Sequence, residues 1–201
     1  MVSTTANFLS SFLSGMTSAS RVSVSAMRRL IEHSNPRIPP LFDPEPPLFL
    51  TAALSISDIR LFDASFAPTD GYCLLFVAEG RGFLEIEKFT AQNTIQEDTD
   101  LINIDHHSLK KYSLFFFPLS NRWRLCLENA PWNLYLFFLS GVSVSYYNKL
   151  FSNSAKEPFV ISGSSMLPVQ LSHLYDALSD CNHDPLWINE QLTSLLCLTI
   201  K

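Results

Sequence analysis

The sequence predicts a mainly β fold, an antiparallel barrel or sandwich, followed by two C-terminal helices. Three observations predict it. Short apolar runs recur at close spacing between Leu48 and Gly141, each ended by turn-forming residues. Sixteen Phe against only six Gly supply bulky side chains for a thick core. Beyond Gly141 the apolar period lengthens from that of a strand to that of a helix.

Residues 1–47 read as an N-terminal arm and a connector. The arm is polar and Ser-rich, and "SVSAMRRLIEH" within it allows one short helix. "NPRIPPLFDPEPP" follows, with six prolines in thirteen residues. Proline fixes φ and removes a donor, so this stretch reads as an extended connector and not an element.

Residues 48–141 form the predicted β unit. "LFLTAALSISDIRLFDASF" alternates and is β-rich, and "TDG" (69–71) is a turn. "YCLLFVAEGRGFLEI" reads as strand, tight turn, strand around Gly80 and Gly82. "LINID", "YSLFFF", "RWRLCLE" and "WNLYLFFL" supply further strands. The last has two apolar faces. Trp132, Leu134, Leu136 and Phe138 point one way, and Asn133, Tyr135, Phe137 and Leu139 the other. Such a strand needs cover on both sides.

Residues 142–201 supply that cover. Leu167, Leu171, Leu174 and Leu178 lie on one stripe of a helix, with Ser164 or Ser165 as its cap. Asp184-Pro185 is a helix start, and Leu192 and Leu195 continue on one face. A charge on this seam, as in Leu171→Asp or Leu195→Asp, is expected to separate a dimer or unfold the pair.

Composition excludes several classes. The chain has 201 residues and a net charge of −5, and its fourteen Lys and Arg form no basic block, so direct binding to nucleic acid is not expected. "LYLFFL" is far short of the roughly 20 apolar residues of a spanning helix. The N-terminus lacks the basic region of a signal peptide. The four scattered cysteines form no CxxC pair and fit a reducing, cytoplasmic setting. His106 and His107 are adjacent, and neighbours on a strand face opposite ways, so no metal centre is expected there. No cofactor motif is present.

"PWNLYLFFLSG" (131–141) resembles the "PWxxYWxHFxG" segment in the sensory domain of AraC/XylS-type transcriptional regulators. "GYCLLFVAEGRGFLEI" is similar to that family's first barrel hairpin, and "FFFPLSNRWRL" to a later strand pair. The resemblance covers about residues 48–201. It implies a cupin-like jelly-roll barrel that binds a small effector, and a homodimer through the helical pair. It further implies a DNA-binding domain that this chain lacks, so DNA enters only through that absent part. Departures bear on the effector. Leu136 and Phe138 stand where the family often has Trp and His. The inward row is greasier than a sugar site, which points to an apolar or amphipathic effector. The implied lining is Glu79, Tyr112, Trp123, Trp132, Leu134, Leu136 and Phe138, with no catalytic group and no metal. The implied dimer seam is Leu167, Leu171, Leu174, Leu178, Leu192 and Leu195. Two alternatives stand beside it: a filled barrel that only dimerises, and a metal-dependent cupin enzyme.

Overall fold

A computed structural model of the chain describes residues 34–37, 47–59, 62–66, 68–89, 102–128, 131–154, 159–160, 165–178 and 185–199. The short helix expected over residues 23–33 lies outside them. In chain order the elements are β1 (Ser34–Arg37), β2 (Phe49–Ile59), β3 (Phe62–Phe66), β4 (Tyr72–Glu79), β5 (Arg81–Phe89), β6 (Ile102–Lys110), β7 (Ser113–Pro118), β8 (Arg122–Leu127) and β9 (Trp132–Ser140). There follow α1 (Val144–Ser154), β10 (Phe159–Val160), α2 (Leu167–Ala177) and α3 (Pro185–Thr199).

The strands form two antiparallel sheets. One has the order β1-β2-β9-β4-β7-β10, the other β3-β8-β5-β6. The central four of the first and the four of the second interleave in chain order as a jelly roll does. Of the expected barrel or sandwich the structure has the two-sheet form, and no ladder joins the sheets among the described residues.

Two local expectations change. The stretch around Gly80 is not a hairpin. β4 pairs with β7 and β9, whereas β5 pairs with β6 and β8, so the chain crosses from one sheet to the other at Gly80. Its φ of 111° lies where glycine is favoured. A Cβ there would stand 2.5 Å from the Trp132 ring. The proline-rich connector also contains an element, because β1 pairs with β2 over Ser34–Arg37. Pro36 is tolerated there because β1 is an edge strand.

Alternation divides the apolar side chains into two layers. Between the sheets lie Ala52, Leu54 and Ile56 of β2, Cys73, Leu75 and Val77 of β4, and Leu84 and Ile86 of β5, all buried. Phe66 of β3, Leu109 of β6, Phe117 of β7 and the inward residues of β8 and β9 complete this layer. The other face of the first sheet, through Leu74, Phe76, Leu114, Phe137 and Leu139, packs under the helices. β9 is covered on both sides, as its two apolar faces require.

The helices form that outer cover. In α2 the Ser165 hydroxyl accepts a hydrogen bond from the Leu167 amide (3.2 Å), and proline stands in the first turn. In α3 Pro185 is the first residue. Between them and the sheet lie Leu171, Leu174, Leu192 and Leu195, all buried. Gly141 takes a φ of 113° where β9 turns towards α1.

Candidate functional site

The inter-sheet layer is where the sequence placed its candidate site. Trp132, Leu134, Leu136 and Phe138 do share the inner face of β9, each no more than 3 % exposed. Trp123 of β8 joins them at 1 % exposure. Its ring stacks on Phe66 at 3.7 Å and 11° and meets Phe117 edge-on at 5.5 Å. Its place is the core and not a pocket mouth. The Trp132 indole N–H donates to the Glu128 carbonyl at 3.0 Å, so that donor is already used.

Glu79 and Tyr112 depart from the expectation. Glu79 is exposed at the end of β4, past a bulge between Val77 and Glu79, and does not line the inner layer. Tyr112 sits in the turn between β6 and β7 with a φ of 67°. Its amide donates to the Val77 carbonyl and its ring stacks on Phe76 at 6.5 Å, in the outer layer under the helices. Sequence spacing alone could not show that the chain reverses so tightly at Tyr112 that its ring joins the opposite face.

The inner face has few polar groups. Ser113 is the one fully buried polar residue among those described. Cys73 is fully buried, and desolvation pushes its thiol far above the ordinary value of 9.0. On β6, His107 and Asp105 share a face with buried Leu109 and are half-buried. His107 meets Phe115 at 4.4 Å between ring centres. This rim was missed in the sequence, where the adjacent His106 masked which of the two faces inward.

His106 lies on the opposite face, 65 % exposed in its side chain. Its Nδ1 is 3.2 Å from the Glu85 carboxylate, whose other oxygen accepts from Arg124 at 3.1 Å. Glu87 and Arg122 lie beside them at 3.7 Å. These pairs form a solvated lattice on the outside of the second sheet. Among the described residues no three of His, Cys, Asp and Glu come together as a cation site.

The leucines of the expected dimer seam are placed differently. Leu167, Leu171, Leu174, Leu192 and Leu195 are buried within a single chain, and Leu178 is half-buried against the same layer. The outward faces of these helices carry instead Met166, Val169 and Leu186. Between α2 and α3 lies a small open cleft of ≈ 40 Å³, lined by Gln170, Leu174, Trp187, Gln191, Ser194 and Leu195.

No protein-family model and no curated protein matches this chain. Solved structures do. The AraC-like transcriptional activator CuxR aligns over 86 % of this chain and 62 % of its own, with 11 % identity and a TM-score of 0.43. The hydroquinone 1,2-dioxygenase PnpCD aligns over 45 % of this chain and 58 % of its own, with 12 % identity and a TM-score of 0.33. The vicilin of Corylus avellana (hazelnut) aligns over 45 % and 23 %, with 13 % identity and a TM-score of 0.30. The chain spans less than two thirds of each of these three.

Proposed function

We propose that this chain is the effector-sensing and dimerisation unit of a bacterial, cytoplasmic transcription regulator of the AraC type, and not an enzyme. DNA contact would come from a domain outside this chain. One observation carries the reading: β9 is buried on both faces. Its inner row, Trp132 to Phe138, lines the inter-sheet layer, and its outer row, Tyr135 to Leu139, lies under the helices. Tyr135 touches Tyr175 of α2 at 5.3 Å between ring centres. Expansion of the inner layer around an effector would shift the strand on which the helices rest. That is a physical route from interior to helix.

The inner lining is almost wholly apolar, so the effector is apolar or amphipathic and enters from the rim. Its polar end would meet Asp105 or His107, not Glu79. The residues that carry the resemblance hold the frame: Trp132 covers Gly80, and Gly141 turns the chain towards α1. They speak for a shared scaffold more than for a shared ligand.

The second reading is a filled sandwich that only dimerises. The stacked Phe66, Trp123 and Phe117 rings favour it. A thermal-shift screen of sugars, aromatic acids and fatty acids separates the two. A true effector at a hundredfold excess over its Kd stabilises the fold by roughly 2.7 kcal/mol. Silence across all three classes leaves the filled sandwich.

A further inference from the structure

β6 is an edge strand of nine residues and keeps two features that leave an edge open to pairing. It contains no proline, and its register with β5 runs from Arg81↔Lys110 to Phe89↔Ile102 without a bulge. Its one lysine stands at its last position. On its other side it has no ladder among the described residues.

One hydrogen bond tells which backbone groups face that open side. The Lys110 amide donates to the Ser113 hydroxyl at 3.0 Å, so it points away from β5. Backbone groups alternate in direction along an antiparallel strand. The amides and carbonyls of Ile104, His106 and Ser108 therefore also point to the open edge. Those of Asn103, Asp105, His107 and Leu109 serve the ladder to β5.

We propose that β6 pairs antiparallel with β6 of a second copy of this chain, about a two-fold axis at His106. The two four-stranded sheets then become one continuous sheet. This register uses the full strand length. It sets His106 opposite its counterpart and Ile104 opposite Ser108, giving about six new backbone hydrogen bonds. Asp105 then falls opposite the partner copy's His107, twice by symmetry, at the closely spaced positions of the ladder, where side chains approach most nearly. Centring on Asp105 or His107 would instead set like beside like. Both side chains are half-buried, and the His107 ring rests on Phe115 at 4.4 Å between ring centres. The pairing stands whether or not the sandwich binds an effector.

The test is sedimentation velocity across a concentration series, with circular dichroism to check the fold. His106→Pro removes an outward amide and leaves the β5 ladder whole, so it is expected to raise the dimer dissociation constant at least tenfold. His106→Ala keeps the amide and should stay dimeric. If the proline variant fails to fold, charge exchange decides. Asp105→Lys should weaken the dimer, and adding His107→Asp should restore it. A wild-type protein that stays monomeric at every concentration overturns the proposal. So does a dimer indifferent to both His106→Pro and Asp105→Lys, or one abolished only by Val169→Glu on α2.

Discussion

Trp132 rests on Gly80, so the absence of a side chain at one position makes room for a ring distant in sequence. Any side chain at Gly80 must both accept a φ of 111° and displace an indole ring. Gly80→Ala is expected to cost about 2–4 kcal/mol. Urea unfolding followed by tryptophan fluorescence measures it, and an unchanged midpoint would refute the contact. A second residue-scale expectation concerns Cys73. Its thiol ionises far more readily unfolded than folded, because burial disfavours the thiolate. A raised folded pKa means that the unfolded state loses its proton first as pH rises. Cys73 therefore contributes no pH dependence well below pH 9.0 and removes roughly 1 kcal/mol of stability per pH unit above it. Comparing wild type with Cys73→Ala from pH 8 to 10.5 isolates this effect. The Glu85 pairs are different in kind. Their partners Arg124 and His106 are 40 % and 65 % exposed, so Glu85→Gln should change stability by no more than about 1 kcal/mol.

Among the elements, the helices show how a stripe can be read correctly and used for another purpose. Leu171, Leu174, Leu192 and Leu195 do share helix faces, but that face meets Phe137 and Leu139 of the same chain. Leu171→Asp is therefore expected to destabilise the monomer by about 4 kcal/mol, as any unpaired buried charge does. It would not act as a clean dimer breaker. Val169→Asp, at a position 45 % exposed, should leave the melting temperature within a few degrees. Equal effects of the two substitutions would contradict the packing. β6, β7 and β8 carry a related lesson. "LINIDHHSLKKYSL" and "FFFPLSNRWRL" fill three strands in two sheets, and the turn at Tyr112 divides the first two.

For the whole molecule, the described residues form a sandwich whose helices cover one outer face. The sheet holding β9 carries the helices, and the opposite sheet shows solvent its Glu–Arg–His lattice. The proposed effector-sensing role predicts that a ligand protects amides of β9 and of α2 together in hydrogen exchange, because they share a packed layer. Protection confined to β9 would break the proposed route. The sequence by itself determined the alternation of each strand, the two-faced burial of β9, the helical stripes and the turn at Gly71. All of these follow from the geometry of neighbouring residues. Only the tertiary structure decided which sheet each strand joins, that the leucine seam is spent inside the chain, and that Glu79 and Tyr112 lie outside the inter-sheet layer. Those outcomes depend on pairings between residues far apart in the chain, such as Leu54 with Leu136 and Glu85 with Arg124. Local periodicity states that a face is apolar. It does not state what will cover it.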